Sequence, residues 1–466
     1  MADSGQVEAL LQNGTVQMKA GGISGDFKVP PMKHEIKAVA LHSFGGPRSV
    51  KVENRPEPGM EKGQVLIRVK ATGVNFLDLM ARQGVLDGAP KLPAVMGFEL
   101  AGDVEAFVST GSSNIMDIKP GDRVIAFTDY NAWAEVVCVS IDYVYKMPAH
   151  MSYEEGASML SYVTAHLLLF HLGGLRKGQS LLVHSAGGSV GLAVSQLART
   201  VGDVKLIGTA SLHKHEHIKQ AFDQLYDHGE DYVQEIKKIA PEGLHLVLDC
   251  LSGDDTHRGI SLLRPMGKYI LYGSANIVAG ESKSFFSLAK SWWQVEKINP
   301  MRLCDENKLV GGLNLRHFLF RQRGASEVRD IMQQLFTLYD KKKIKPAVDS
   351  TYAMADVYDA MKRLHDRKNI GKVLLCPAQV PRPRTIQQQL SETNSAGAGS
   401  VNGTTNPAPS TGSSILGMVR RAFSQDQGNG HGSAPNSPPY IKVETTTTTV
   451  TNVADTNVPS GSNENL

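Results

Sequence analysis

Cysteine is scarce in this chain: the four present, Cys138, Cys250, Cys304 and Cys376, lie far apart and form no CxxC pair or short-spaced cluster. That argues against a disulfide framework or a cysteine-rich metal site and suits reduced thiols in an intracellular protein. A dominant charge is also missing. Forty-nine basic residues face 46 acidic ones, a net +3, so there is no electrostatic ground for a nucleic-acid partner. The first residues, MADSGQVEALLQNG, have neither the basic start nor the apolar stretch of a secretory signal. Gly156 to Leu175 contains no Asp, Glu, Lys or Arg, yet Ser158, Ser161, Tyr162, Thr164, His166, His171 and the Gly173-Gly174 pair interrupt it. A membrane span should be predominantly apolar, so a buried helix is the expectation there, in a soluble, cytoplasmic chain.

What is present is most informative between Ser180 and Arg199, SLLVHSAGGSVGLAVSQLAR. An apolar run ends in Ala186-Gly187-Gly188-Ser189-Val190-Gly191, and a helical pattern follows. Strand, glycine turn and helix N-terminus are what a dinucleotide pyrophosphate requires: glycine admits the backbone to the phosphates, and free helix N–H groups face negative charge. The spacing keeps only the second half of G-x-G-x-x-G, because Ala186 holds the first glycine position. A tightly packed strand-to-helix turn of purely structural purpose is the competing reading.

The rhythm of the chain gives an α/β class. Residues 1–34 are aperiodic and glycine-rich and are expected to be disordered. Residues 35–158 alternate short β-rich pieces (KAVAL, VLIRVKATGV, DRVIAF, AEVVCVS) with Gly/Pro turns, predicting a β-rich domain. Residues 159–300 alternate apolar strands (SLLVH, VKLIGTA, LHLVLDC, KYILYG) with helical patterns, predicting a doubly wound parallel sheet. Residues 301–378 close with a helix and a strand, expected to return to the first domain. From Gln379 to Leu466 the composition falls to Pro, Ser, Thr, Asn and Gly, too poor in apolar residues for a core and expected to be disordered. Within it Ser413 to Phe423 is a short apolar island, read as linker or as a docking helix.

Cofactor choice also has a signal. NAD-preferring sites usually carry an acidic residue after the second strand; here that strand ends Gly208-Thr209-Ala210-Ser211, with Lys214 close behind and no carboxylate until Glu216. A hydroxyl and an ammonium suit the 2′-phosphate of NADPH. The alternative is a helix cap at Ser211 with an exposed Lys214. His213, His215 and His217 have a spacing in which only the first and last share a helix face, so a solvated surface is preferred over a metal site.

A further constellation, ATGVNFLD from Ala71 and LPAVMGFELAG from Leu92, resembles the medium-chain dehydrogenase/reductase superfamily. The strings NFLDLMARQG, YNAWAEVVC, LVHSAGG, LDCLSGD, SFFSLAKSWWQVEKINP and HDRKNIGKVLL are similar to its quinone oxidoreductase branch and, more closely, to the vesicle amine transport protein family, particularly its homologue-like members. The resemblance runs from about Lys37 to Cys376. It implies a GroES-like catalytic domain with an inserted Rossmann domain. Where zinc-dependent members carry metal-binding Cys and His, this chain has Asn75 and Phe98, which implies no metal at that site.

The resemblance further implies that Asn75 and Thr164 face the nicotinamide and serve catalysis, and that Ala186, Gly187, Gly188, Ser189, Val190 and Gly191 form the pyrophosphate loop. Thr209, Ser211 and Lys214 then fall on the ribose side, with Gly273 above the cofactor and Asn369 closing its far end. His228 receives no role, and Asp78 is as well explained as a helix cap. Ser185 and Ser189 depart from the common loop of the branch and add bulk near the phosphates. The implied activity is zinc-independent, NADPH-dependent hydride transfer to a quinone or activated enone. A catalytically weak nucleotide-binding scaffold, peripheral on vesicles or other membranes, is the alternative. Leu309 to Phe320 is the expected homodimer edge, and Phe285, Phe286, Trp292 and Trp293 are expected to wall the substrate cleft, cover a subunit contact or pack in the core.

Overall fold

The computed structural model describes residues 8–12, 15–20, 23–28, 34–108, 117–278 and 298–383. The aromatic segment from Phe285 to Trp293 and the apolar island at Ser413–Phe423 lie outside the described residues.

Three short strands, β1 (Glu8–Gln12), β2 (Thr15–Ala20) and β3 (Ile23–Lys28), pair antiparallel in chain order within the segment expected to be disordered. The intervening pairs Asn13-Gly14 and Gly21-Gly22 are two-residue hairpin signals in the sequence.

The β-rich domain is built on β4 (Glu35–Leu41), β5 (Val50–Pro56), β6 (Gln64–Val74), β7 (Ala94–Val95), β8 (Glu99–Phe107), β9 (Arg123–Phe127), β10 (Val136–Ser140) and β11 (Val144–Lys146). β6 is its axis, with β8 on one side and β10 paired along its first half. The chain returns here after the second sheet: β18 (Val348–Tyr352) and β19 (Lys372–Leu375) extend the sheet, with Val373 opposite Val74. Trp133, Phe98, Leu41, Ile67 and Met96 fill the core of this lobe.

The second sheet is wholly parallel. Its order is β14-β13-β12-β15-β16-β17, from β12 (Ser180–His184), β13 (Lys205–Thr209), β14 (Gln224–Tyr226), β15 (Leu244–Asp249), β16 (Leu263–Leu271) and β17 (Leu309–Gly312). Leu181, Leu182, Val183, Leu206, Ile207, Val247 and Leu248 are fully buried, as helices on both faces of such a sheet demand. The sheet takes its last strand from beyond residue 300, where the sequence boundary had been drawn. Only Leu309–Gly312 of the expected edge segment is strand. Asn314 then caps a helix, Leu315–Arg321, its side chain accepting from the His317 N–H at 3.1 Å.

Gly156–Leu175 packs as a broken helix: α2 (Tyr153–Gly156, preceded by α1, Phe76–Gln83), α3 (Met159–His166) and a π-helical turn at Leu167–Leu172. Among the described residues no helix is long and apolar enough to cross a membrane.

Candidate functional site

β12 ends at His184, and Ser185 turns the chain with a left-handed backbone (φ 57°). Gly188 then caps α4 (Ser189–Val201) in an extended conformation with no side chain satisfying the first N–H groups. Those donors face a cleft of about 890 Å³ whose wall includes Gly187, Gly188, Ser189, Val190 and Gly191. A Cβ on Gly191 would lie 2.6 Å from the Ala186 carbonyl oxygen and 2.7 Å from the Ser185 one, so the loop can close only on glycine. Ala186 itself is fully buried; it supports the loop from behind rather than lining the cleft. The two unusual serines are turned to other partners. Ser189 Oγ accepts from the Ser161 hydroxyl on α3 at 2.9 Å, and Ser185 bonds the Cys250 thiol, itself pushed up to about 11 by burial.

The structure sorts the residues expected to face the ribose. Ser211 lines the cleft, whereas Thr209 is buried with its hydroxyl 2.9 Å from His184 Nδ1. Lys214, on α5 (Leu212–Ile218), is not an exposed ammonium: it is buried, its Nζ donates to the Asn369 carbonyl at 2.7 Å, and burial lowers its pKa to about 8. Its remaining N–H groups are all it offers a phosphate. Arg367, which the sequence reading did not single out, lines the same region beside His228. Burial, then the charges of His184 and Arg367, hold His228 at about 4, so a neutral imidazole faces the cleft at neutral pH. Gly273 also lines the cleft, where a Cβ would meet the Cys250 carbonyl oxygen at 3.1 Å. His213 and His217 are exposed on α5, and among the described residues no group of three His, Cys, Asp or Glu is placed to hold a metal.

The opposite wall comes from the β-rich lobe. Asn75 precedes α1, whose third residue, Asp78, accepts the Asn75 backbone N–H at 2.8 Å and the Gly97 N–H at 3.1 Å. Asn75 Nδ2 donates to Glu99 Oε1 at 3.0 Å, and Lys372 Nζ donates to Asn75 Oδ1 at 2.6 Å and also to Glu99. Glu99 Oε2 accepts the Leu160 N–H of α3 at 3.2 Å. Thr164, one turn further, lines the cleft and donates its hydroxyl to the Leu160 carbonyl at 2.8 Å, which leaves its oxygen free to accept. This wall of the cleft is also apolar, with Phe76, Leu77, Met80, Leu86 and Phe98. Zinc does not fit this wall. It needs three N, O or S ligands, and the sole carboxylate facing the Asn75 amide is already neutralised by an ammonium a dication would repel.

Burial, ahead of the opposing Asn75 N–H, Lys372 charge and Gly97 N–H, raises the Asp78 carboxyl to about 8. Folding therefore takes up a proton between about 4 and about 8: this contribution is complete below the unfolded pKa and lost as pH rises through the folded one. The stability advantage of wild type over Asp78→Asn, read from urea midpoints, is expected to fall across that window. A difference independent of pH would contradict the assignment.

The strip Asn369–Lys372 joins the two walls. Besides the Lys214 and Lys372 bonds, Gly371 N–H donates to the Gly187 carbonyl at 3.0 Å. Arg316 makes a second crossing: it is buried and donates to Asp129 Oδ1 at 2.5 Å and to the Asp87 carbonyl at 2.6 Å.

A GroES-like sheet domain joined to a parallel nucleotide-binding sheet, with a glycine loop at the cleft, defines a nicotinamide-dinucleotide-dependent oxidoreductase of the medium-chain dehydrogenase/reductase class. Residues 61–149 match the alcohol dehydrogenase GroES-like domain and residues 220–375 the zinc-binding dehydrogenase domain. The chain is 48% identical over 393 residues to the mouse synaptic vesicle membrane protein VAT-1 homolog-like, covering 84% of this chain and 93% of that protein. The crystal structure of the human VAT-1 homolog-like protein superposes with a TM-score of 0.66 at 45% identity, over 74% of this chain and 99% of that one. Escherichia coli quinone oxidoreductase complexed with NADPH gives 0.63 at 26%, over 73% and 100%. The chain belongs to the VAT-1 homolog-like family.

Proposed function

We propose that this chain is a zinc-independent NADPH oxidoreductase that reduces a quinone or an activated enone. The observation that carries the reading is the single cleft shared by uncapped helix N–H groups on one side and the Asn75 amide with an apolar acceptor wall on the other. Gly187 to Gly191 would hold the pyrophosphate. Ser211 and Arg367, with the residual donors of Lys214, would receive the 2′-phosphate, and Asn369 would close that end. Asn75 and Thr164 would orient the nicotinamide and the acceptor. When bound, the reduced nicotinamide supplies a hydride, and a proton from water completes the two-electron reduction. The NADPH-bound relative supports the cofactor choice, and the absence of a carboxylate before Glu216 agrees with it.

The test is steady-state NADPH oxidation against a panel of quinones and enones, alongside fluorescence titration with NADPH and NADH. Acceptor-dependent oxidation and tighter binding of NADPH are expected. Equal affinity for NADH would remove the 2′-phosphate assignment, and binding without oxidation by any acceptor would favour a nucleotide-binding scaffold.

The names of the relatives motivate that second reading, with peripheral attachment to vesicles or other membranes of a protein that works from the cytoplasm. We also propose a homodimer formed along β17, the last strand of its sheet, whose Leu309 is half exposed and whose outer edge is unpaired among the described residues. Sedimentation velocity reads it directly: a monomer at micromolar concentration would exclude it.

A further inference from the structure

The pair Glu99–Lys372 is buried to the point of excluding solvent, at 0% and 1% side-chain exposure. Such a pair is a poor investment for stability alone, since removing both charges from water is only repaid by very good geometry. The sequence nonetheless makes room for it: a Cβ on Gly73 would lie 2.4 Å from Glu99 Oε1 and 2.7 Å from Lys372 Cε. Both charged groups also share one neutral partner, the Asn75 side chain, at the lip of the cleft.

Their chemistry fixes that amide. An ammonium can only donate, so the atom 2.6 Å from Lys372 Nζ must be the amide oxygen. A carboxylate can only accept, so the atom 3.0 Å from Glu99 Oε1 must be the amide nitrogen. One Nδ2–H is thereby committed to Glu99 and the flipped amide is forbidden. The second Nδ2–H is left for the cleft. A bond from the ammonium to the amide oxygen also draws electron density from the nitrogen and strengthens that remaining donor.

We propose that Lys372 is a positioning residue which, with Glu99, holds the Asn75 amide so that its remaining N–H donates to the acceptor's carbonyl oxygen. This rests on the oxidoreductase reading above. As the hydride arrives, negative charge grows on that oxygen, and a donor fixed beforehand needs no reorganisation to stabilise it. Lys372, almost fully buried at the base of the cleft wall, acts through its bond to Asn75.

A double-mutant cycle decides the matter. Asn75→Ala, Lys372→Met and the double variant are compared by kcat/KM for menadione and by quenching of tryptophan fluorescence when menadione binds the NADP⁺-loaded protein. Each single change is expected to lower kcat/KM about 100-fold, the scale of losing one preorganised donor, and the double variant no further than either. NADPH affinity should fall far less than kcat/KM in all three, because the pyrophosphate loop and the Ser211 side of the cleft are untouched. Should Lys372→Met fail to fold, Lys372→Met with Glu99→Gln removes both charges together and is read in the same way. Additive losses in a wild type that turns over and binds menadione would overturn the inference and leave the oxidoreductase reading standing. No turnover and no quenching in the wild type would overturn both.

Discussion

Gly188→Asp is expected to abolish dinucleotide binding without lowering the stability of the fold. Gly188 is the N-cap of α4, with φ −76° and ψ 167°, the extended geometry in which aspartate is among the best capping residues. Its carboxylate would accept the free N–H groups of the first turn and complement the helix dipole, so stability should hold or rise by a few tenths of a kcal/mol. There is nearly room for it: a Cβ there lies 3.2 Å from the Ser185 carbonyl oxygen, a close contact that a shift of a few tenths of an ångström relieves. The same carboxylate takes the donors a pyrophosphate needs and repels it. A loss of at least about 100-fold in NADPH affinity is expected, equivalent to about 2.7 kcal/mol. Titration by cofactor fluorescence and a urea melt on the same preparation read the two effects separately. Unchanged affinity would mean that the loop is only a structural turn. Gly59→Ala, at a position open on all sides, is the matched control and should change neither.

The second large effect is on stability. Trp133 is fully buried, donates its indole N–H to the Gly73 carbonyl at 2.9 Å, and packs so closely on Gly97 that a Cβ there would lie 2.3 Å from its ring. Trp133→Ala leaves a cavity the size of an indole and strands a buried carbonyl, at an expected cost of about 3–5 kcal/mol. Because Gly73 is also the floor beneath Glu99 and Lys372, the surviving folded fraction should lose acceptor turnover more than NADPH affinity. Denaturant midpoints and a kcat/KM comparison check this. A loss under about 1 kcal/mol would show that the lobe repacks around the void.

The sequence made the cofactor side legible because its signals are local. An apolar run, a glycine turn and a helical repeat sit within Ser180–Arg199, and β12, its loop and α4 follow in that order. The Ser211 side was half legible: Lys214 does line the cleft, but no local pattern shows that its ammonium is spent on Asn369. The wall from the β-rich lobe was hardest. Lys372 lies 273 residues from Glu99 and 297 from Asn75, and only the return of β19 to β6 brings them together. Arg316 was invisible for the same reason, its partners Asp87 and Asp129 being far off in sequence. At the N-terminus the Asn13-Gly14 and Gly21-Gly22 pairs are the local hairpin signals within an aperiodic, glycine-rich stretch.

The strip Asn369–Lys372 has a consequence for how this chain tolerates change. In four residues it gives a carbonyl to Lys214, an N–H to Gly187 and a side chain to Glu99. Substitutions there act one at a time, but losing or gaining a single residue would reverse the facing of everything after it. The lysine would leave Asn75 and Glu99 in the same event that detaches the strip from the glycine loop. Along this stretch, chain length is therefore constrained as tightly as residue identity, and an indel between Asn369 and Lys372 would disturb both walls of the cleft at once.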